Sequence, residues 1–342
     1  MKIKIAVLII MVFLHKSINV IAQNDTVVKR EYVAYTLAFN SVPDHFNYPL
    51  FGFVNVARGN HKGFQLGFVN TTLQGFTGLK VGFVNTILRD FSGFNVGFVN
   101  TVSGNSEGGK IGFVNTSLED GKGLRVGYVN TTLGNALGAK FGFVNTTLGN
   151  SEGLQLGFVN IARQEMKGAQ IGFVNVADTV SGGTPIGFLS IVKRGGYRAV
   201  EMSANELYPL NMAFKLGVPR FYSFFQGSYN ASYEDPFALA FGFGSLISLG
   251  NNFYFNPELG NVSPLAISAN NVTTFAANVR YSLSPRFQVS TGLSAVWLNY
   301  PRDENMYAEP FFALINHEIS ARNRVLVGAR VGLSYNFTEL VR

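Results

Sequence analysis

A four-residue motif recurs at a constant interval through the middle of the sequence. Gly-Phe-Val-Asn, or a close variant of it, occurs ten times within residues 52–190, and each copy begins fifteen residues after the previous one. One inserted residue would displace all later units, so an interval without any insertion indicates units that stack on their neighbours. The leading glycines are Gly52, Gly67, Gly82, Gly97, Gly112, Gly127, Gly142, Gly157, Gly172 and Gly187.

The chemistry of the positions within one unit predicts a β-strand. Residues 64–68, for example, alternate between apolar side chains and a polar or small one, which is the period-two pattern of a half-buried strand. If the strands stack in parallel, the apolar residues on either side of the motif glycine form two columns with rungs about 4.8 Å apart. The motif asparagines then form a third column at a bend, where each amide can bond the next one and the backbone of the turn.

We therefore predict a β-solenoid with fifteen residues per coil and a length of about 48 Å. The alternative is an antiparallel meander in which the repeats and the C-terminal strands together form one large membrane barrel. Neighbouring strands of such a barrel alternate in direction and have different turns at the two ends, so its natural repeat is two strands. A single unit that repeats at one interval favours parallel stacking.

The repeats resemble the bacterial surface-repeat family built on Gly-Leu-x-Ile-Gly-Leu/Phe-Val-Asn pentadecapeptides. The resemblance covers residues 52–190. It implies a cell-envelope protein of a Gram-negative bacterium, and it offers no catalytic residue to transfer. The last unit departs from the pattern and reads Gly187-Phe188-Leu189-Ser190, which suits a terminal cap that no longer needs the asparagine.

The N-terminal segment has the composition of a secretory signal over residues 1–22. Lys2 and Lys4 precede an apolar run over residues 5–14, and Ala22 ends a small-residue exit site. An apolar run of ten residues is too short for a membrane-spanning helix. Residues 23–51 are predicted to be a lead-in that covers the first coil, because an exposed solenoid end would promote edge-to-edge pairing.

Composition excludes several classes of protein. The chain has no cysteine, so it has neither a disulfide framework, nor a cysteine-based metal site, nor a lipid anchor on cysteine. The formal charge of +7 becomes 7 − 3 = +4 without Lys2, Lys4 and Lys16, and only 14% of the residues are charged. This balance does not favour binding to nucleic acid. The 38 glycines, 32 phenylalanines and 14 tyrosines favour an all-β fold.

The fifteen-residue interval stops at the end of the repeat region, residues 52–195, and longer alternating runs follow in residues 196–342. We predict eight or nine strands of ten to thirteen residues, each with one apolar face and one small or polar face. This pattern, with aromatic residues clustered at the strand ends, is typical of an antiparallel outer-membrane barrel. The alternative is a soluble barrel or sandwich in which the apolar face is the core.

One set of side chains predicts a binding site. Three consecutive units carry Lys110, Arg125 and Lys140 two positions before the motif glycine. If this position points outward, the three cations form a basic stripe, and like charges on neighbouring strands are destabilising unless a partner compensates them. The stripe favours an anionic glycan or a lipid headgroup as a possible ligand. The alternative is a solvated charged face without a ligand.

Other candidate sites are explained by local structure. Residues 104–108 and 149–153 match the Gly-x-Ser-x-Gly pattern of hydrolase nucleophile elbows, but such an elbow needs a strand before it and a helix after it. Both copies are predicted to lie in connectors between strands. The histidines after the signal lack metal-ligand spacing, and three acidic residues share one predicted polar loop: His45, His61 and His317, and Asp303, Glu304 and Glu309.

These expectations describe a non-enzymatic protein of the cell envelope with a structural, adhesive or binding role and no cofactor. Its expected location is the outer membrane or surface of a Gram-negative bacterium, with membrane lipid as a partner. Two alternatives stay open. One is a pore or transport barrel built from the repeats and the C-terminal strands together, and the other is a soluble periplasmic protein.

Overall fold

A computed structural model describes residues 32–233, 235–265, 271–299, 310–320 and 322–338. The predicted signal over residues 1–22 lies outside these ranges, as does the acidic loop that contains Asp303, Glu304 and Glu309. The described residues form strands, bends and turns, with no helix among them. The predicted all-β class is confirmed.

The first of two sheets runs from residue 34 to residue 194 and contains nineteen strands. In chain order they are β1 (Ala34–Tyr35), β2 (Phe39–Val42), β3 (Leu50–Phe51), β4 (Val54–Ala57), β5 (His61–Leu66), β6 (Val69–Thr72), β7 (Phe76–Val81), β8 (Val84–Ile87), β9 (Phe91–Val96), β10 (Val99–Val102), β11 (Ser106–Ile111), β12 (Val114–Ser117), β13 (Gly121–Val126), β14 (Val129–Thr132), β15 (Ala136–Phe141), β16 (Val144–Thr147), β17 (Ser151–Leu156), β18 (Val159–Val180) and β19 (Thr184–Arg194).

These strands form a parallel β-solenoid and not an antiparallel meander. From β4 to β17 four-residue and six-residue strands alternate, and one coil contains one of each. Strands of equal length pair in parallel with the next coil at an offset of fifteen residues, so that Asn100 is opposite Asn115 and Lys110 is opposite Arg125. The predicted solenoid is confirmed, and the antiparallel meander was wrong for the repeats.

The stack extends one coil before the first motif. β2 pairs in parallel with β4, and Asn40 is opposite Asn55. Leu37 and Ala38 stand where later coils have the motif glycine and phenylalanine, so the sequence motif is lost while the coil persists. β1 folds back antiparallel onto β2. Part of the predicted lead-in is therefore a degenerate coil of the solenoid itself.

The motif asparagines form a continuous hydrogen-bonded column inside the solenoid, here called the asparagine column. From Asn40 to Asn175, the Nδ2 of each asparagine donates to the Oδ1 of the next at 2.6 to 2.9 Å. The Nδ2 of Asn100 also donates to the backbone carbonyl of Ile111 at 3.0 Å, and most coils repeat this bond. At the last coil Ser190 replaces asparagine and accepts at 3.5 Å. The predicted amide column is confirmed.

Two glycine positions let successive coils approach at this distance. A Cβ at Gly112 would lie 2.0 Å from the carbonyl oxygen of Gly97 and 2.6 Å from the Nδ2 of Asn100. Four residues earlier, Gly108 has a φ of +113°, and a Cβ there would lie 2.1 Å from the carbonyl oxygen of Gly93. L side chains rarely adopt that φ. Both glycines of the repeat are therefore required by the backbone.

The second sheet contains the C-terminal strands, eight of which close into an antiparallel barrel. The barrel order is β20-β21-β22-β23-β25-β26-β27-β29, and β29 pairs with β20 to complete the ring. β24 pairs with β25, and β28 pairs with β29. The strands are β20 (Tyr197–Ala204), β21 (Leu210–Val218), β22 (Phe221–Tyr229), β23 (Phe237–Gly244), β24 (Ile247–Gly250), β25 (Phe253–Pro264), β26 (Asn271–Ser282), β27 (Phe287–Asn299), β28 (Ile315–Ser320) and β29 (Asn323–Asn336).

The solenoid and the barrel are separate sheets, so the predicted alternative of one large barrel was wrong. The barrel wall instead covers the C-terminal end of the solenoid. Val218, at the end of β21, packs with Met166 and Val192 inside the last coils. Phe188 of β19 packs against Phe225 and Phe241 of the wall, with ring centroids 5.1 and 4.6 Å apart. An edge that could pair with other chains is thereby protected.

The asparagine column can be tested by one substitution. We expect Asn115→Ala to lower the free energy of unfolding by about 2–6 kcal/mol, because it deprives Asn100 and Asn130 of their column partner and each buried unsatisfied group costs about 1–3 kcal/mol. Thr116→Ala, at the adjacent outward position, is the control and should change this free energy by about 0.5 kcal/mol or less. Urea unfolding in detergent, followed by circular dichroism, measures both. Equal effects would contradict a stabilising role for the column.

Candidate functional site

The position two residues before each motif glycine faces the interior of the solenoid. Lys110, Arg125 and Lys140 are only 1%, 2% and 2% exposed. The prediction that these cations form an outward basic stripe was wrong, because no glycan or lipid headgroup can reach them there. The buried residues at this position, here called the polar column, are Gln65, Lys80, Asn95, Lys110, Arg125, Lys140, Gln155 and Gln170.

The cations share the interior of the solenoid with the asparagine column. Asn115 must face the interior to bond the next coil, so strand alternation directs its neighbours Val114 and Thr116 outward. Before the turn that contains Phe113, the same coil places Lys110 inside, with the residue that follows it exposed. Apolar and polar residues thus exchange the sides that they would occupy in a water-soluble solenoid.

Inside the solenoid the cations bond to hydroxyl and carbonyl oxygens. The Nζ of Lys110 donates to the carbonyl oxygen of Thr116 at 2.9 Å and to the Oγ of Ser117 at 2.6 Å. Two coils later, the Nζ of Lys140 makes the equivalent two bonds, to the carbonyl oxygen of Thr146 and to the Oγ1 of Thr147, both at 2.7 Å. Arg125 donates to the Oγ of Ser106 at 3.1 Å. Small hydroxyl residues on the opposite strands therefore act as acceptors for the polar column.

These cations have no buried counter-ion, because no aspartate or glutamate within residues 33–195 is buried. Burial lowers the pKa of Lys110 well below its usual value, and the nearby charges of Arg125 and Lys140 lower it further. Burial, with a smaller contribution from the charge of Arg125, lowers the pKa of Lys140 to about 6. Desolvation disfavours the charged form of an amine, so a lysine here is more easily accommodated as a neutral amine.

The facing residues compensate for the size of each member of the polar column. Gly121 faces Arg125, and a Cβ at Gly121 would lie 1.8 Å from an Nη atom of the guanidinium. Lys80 instead has Phe76 beside it, with the Nζ 4.8 Å from the ring centroid. The interior is therefore filled coil by coil, by a small residue beside a large polar one or by an aromatic ring beside an amine.

The apolar residues of the repeat cover the outside of the solenoid. The aromatic residue after each motif glycine stacks on the equivalent ring of the next coil, with centroids 4.7 to 5.1 Å apart and ring planes within 7° of parallel. Phe113 is 45% exposed, and its neighbours are similar. This aromatic column consists of Phe53, Phe68, Phe83, Phe98, Phe113, Tyr128, Phe143, Phe158, Phe173 and Phe188.

The barrel shows the same exchange of sides. Leu239, Leu293 and Trp297 point outward and are 57%, 59% and 56% exposed, while the alternate residues of the same strands are buried. The predicted alternative arrangement, in which the apolar face of each strand forms the core of the barrel, was therefore wrong. Both sheets of the chain expose most of their large apolar side chains and bury most of their polar ones, while a smaller apolar cluster that includes Val296, Leu298 and Leu326 lies inside the barrel.

A cluster of charged residues lies inside the barrel, and it was not predicted from the sequence. Lys215 lies between two carboxylates, with its Nζ 2.8 Å from Glu201 and 2.6 Å from Glu258. Arg330 contacts both of the same carboxylates at 2.9 Å, and Arg280 pairs with Glu201. All five side chains are buried. The sequence does indicate these residues in one respect: each of the five lies on the small or polar face of a strand with alternating side chains.

Tyrosine, asparagine and serine side chains extend this ionic cluster. The hydroxyl of Tyr222 donates to Glu258 at 2.5 Å, and Asn256 donates to that hydroxyl at 2.6 Å. Arg280 donates to the Oγ of Ser334 at 2.7 Å. Two carboxylates thus share three cations and several neutral partners, which is the arrangement that a buried charge needs in order to persist.

The structure separates the remaining candidate residues. In the first Gly-x-Ser-x-Gly copy, Ser106 faces the interior and contacts the hydroxyl of Ser117 at 2.8 Å, with parallel strands on both sides. His45 is exposed beside Asp44. His61 is buried in the first coil, with its Nε2 3.1 Å from the carbonyl oxygen of Tyr48. His317 lies on the exposed strand β28. These residues are not brought together.

Comparison with known proteins does not assign this chain to a family. No protein-family model matches the sequence, and no curated protein matches it. None of the described residues forms a helix that is long and apolar enough to cross a membrane. Those same residues contain no group of three or more histidine, aspartate or glutamate side chains that could hold a metal ion. The polar and apolar surfaces are therefore the features from which a function can be argued.

The polar column predicts that the solenoid is more stable in alkaline solution. Because the pKa of Lys140 is about 6 in the folded protein and about 10.4 in an unfolded chain, the unfolded state binds more protons between these values. Stability then rises with pH in this window, by at most about 1.4 kcal/mol per pH unit and per lysine. Lys140→Gln, which introduces the residue that Gln155 supplies one coil later, should reduce this slope. Urea midpoints from pH 6 to pH 10 measure it, with the exposed Lys122→Gln as control. An unchanged slope in Lys140→Gln would contradict the prediction.

The ionic cluster predicts a large cost for removing one charge. Glu201→Gln leaves three cations beside a single carboxylate, and breaking a buried ion pair in this way costs about 3–5 kcal/mol. Glu318→Gln, on the exposed strand β28, is the matched control and should leave stability unchanged. The measurement is the temperature at which the folded barrel loses its heat-modifiable mobility on a gel. A normal transition temperature for Glu201→Gln would show that the cluster does not stabilise the barrel.

Proposed function

We propose that this chain is a non-enzymatic cell-envelope protein whose C-terminal barrel lies in a lipid bilayer, with the solenoid as a structural element packed on it. The observation that carries the proposal is the placement of apolar residues outside and charged residues inside the barrel. In water such a surface would associate with other apolar surfaces, whereas in a bilayer it is solvated by acyl chains. Membrane lipid is thus the proposed partner.

Six of the eight barrel strands have the length that a bilayer requires. A strand needs about 9–11 tilted residues to cross the hydrocarbon core. β25, β26, β27 and β29 have 12, 12, 13 and 14 residues, β21 and β22 have 9, and β20 and β23 have 8. Closure leaves no unpaired edge in the ring, which matters because lipid offers no hydrogen bonds to a free backbone group. Outward aromatic residues near the strand ends, such as Trp297 and Phe253, match the aromatic girdles of outer-membrane barrels.

The sequence and the barrel together support an outer-membrane location. The charged and apolar segments of residues 1–22 support export, and closed barrels of this kind belong to the outer membrane of Gram-negative bacteria. Membership of the pentadecapeptide surface-repeat family is part of this proposal, because the repeats of residues 52–190 resemble it. A soluble periplasmic location is the alternative, and the exposed apolar surfaces count against it.

A structural role is favoured over transport. Eight strands enclose a space that side chains can fill, and the ionic cluster of Glu201, Lys215, Glu258, Arg280 and Arg330 occupies its centre. The cations that suggested adhesion to an anionic glycan are buried in the solenoid. The proposed work of the protein is therefore done by its outer surfaces.

The sole tryptophan of the chain tests the location of the barrel. Trp297 is on the outer face of β27, two residues from the end of the strand, so in a bilayer its ring should lie near the headgroups. We expect its fluorescence in reconstituted vesicles to be quenched by lipids brominated near the headgroup end of the acyl chain. Trp297→Phe gives the background signal. Full emission in brominated vesicles, together with release of the protein from membranes by carbonate, would refute the proposal.

A further inference from the structure

The solenoid has two edges of opposite character. On one edge lie the aromatic column and the exposed apolar residues before each motif glycine, such as Ile111 and Leu156. On the other edge lie the turns between coils, which are rich in asparagine, aspartate and charged residues: Asn60, Asp90, Asn105, Asp120, Asn135 and Asn150. An exposed apolar surface that continues over ten coils marks an interaction site.

The polar edge is itself organised by hydrogen bonds between coils. The backbone N–H of Asn105 donates to the Oδ1 of Asp90 at 2.8 Å, and that of Asn135 donates to the Oδ1 of Asp120 at 2.7 Å. Glu107 and Lys122 form an exposed ion pair at 2.9 Å beside these turns. Groups of this kind need water or headgroups around them, whereas the opposite edge does not.

The barrel fixes the depth of each edge. Phe188 ends the aromatic column against Phe225 and Phe241, which lie at the middle of β22 and β23. Its distance to Phe241, 4.6 Å, is close to the spacing within the column, so the column continues onto the barrel wall. Near the polar edge, the last coils pack instead on Val218, next to the turn at residues 219–220.

The width of one coil therefore runs along the barrel wall from its middle to its rim. A six-residue strand covers about 20 Å, and half of a bilayer has a hydrocarbon thickness of about 15 Å. If the barrel is embedded, the aromatic column lies near the midplane and the polar turns reach the headgroups. The stack extends away from the barrel within the membrane plane, for about 48 Å.

We propose that the solenoid is inserted in one leaflet, on the side of the turn at residues 219–220, with acyl chains of phospholipid covering the aromatic column. This inference rests on the proposed function, because the barrel sets the depth. The insertion would give the protein a second lipid-binding surface, beside the barrel. The solenoid is compatible with surrounding lipid, because the backbone groups of its strands bond from coil to coil and its buried polar side chains are enclosed.

Tryptophan placed on each edge tests this insertion. In a Trp297→Phe background, Phe113→Trp puts an indole in the aromatic column, and Glu119→Trp puts one on the exposed polar edge of the same coil. Each variant is reconstituted into phosphatidylcholine vesicles with bromine either near the methyl end or near the headgroup end of the acyl chain. Tyr128→Trp is a second column variant, useful because this position already tolerates a ring with a polar group.

We expect Phe113→Trp to show blue-shifted emission and its largest loss of fluorescence with bromine near the methyl end. Glu119→Trp should be quenched by aqueous acrylamide and only weakly by bromine. If neither column variant is quenched by bromine while the parent Trp297 is, the solenoid is not in the leaflet, although the barrel is. If bromine does not quench Trp297 either, both the insertion of the solenoid and the proposed function are wrong. Column tryptophans shielded from both quenchers in a dimer would assign the surface to a second copy of the chain and overturn the insertion.

Discussion

The asparagine column is the interaction on which the rest of the solenoid depends. Asn40 donates to Asn55, and each amide from Asn55 to Asn175 both donates and accepts along the stack, so every coil is held in register by the coil before it. The column needs glycine beside it, because a side chain at Gly112 would collide with Gly97 and Asn100. Since the amides must be inside, strand alternation directs the flanking valine and threonine outward. The phenylalanines precede this strand, in the bend of each coil, and the bend turns their rings outward.

Both parts of the chain solve the same physical problem. Charged and amide groups are costly to bury unless they are bonded to one another. In the solenoid and in the barrel most of these groups have such bonds, although the amide of Asn95 has none. In the barrel, Glu201 and Glu258 are shared by three cations. In the solenoid there are no buried acids, and Lys110 and Lys140 rely on hydroxyl and carbonyl oxygens. This leaves the outer faces of both free to be apolar, which is the property that supports a membrane location.

Much of the fold was accessible from the repeat alone. A constant interval of fifteen residues predicts parallel coils, and the asparagine at the bend predicts the column. The degenerate coil of residues 37–42 was missed because it retains only Asn40 of the motif. The basic stripe was misplaced because Lys110, Arg125 and Lys140 were assigned by the rule that charges face water, although the same coil already required an amide inside. The ionic cluster was missed because its members are far apart in sequence and meet only when the barrel closes.

The sequence by itself determined the period, the parallel register and the positions at which glycine is required, because these depend on local geometry that repeats. It also determined which residues share a face of each strand. Only the tertiary structure decided which face lies inside, since an alternating pattern has the same form whichever side becomes the core. Closure of the coils decided it: the amides, hydroxyls and lysine side chains bond to one another inside, and the aromatic column stacks ring on ring outside. The barrel then decided where that row ends, at the middle of its wall.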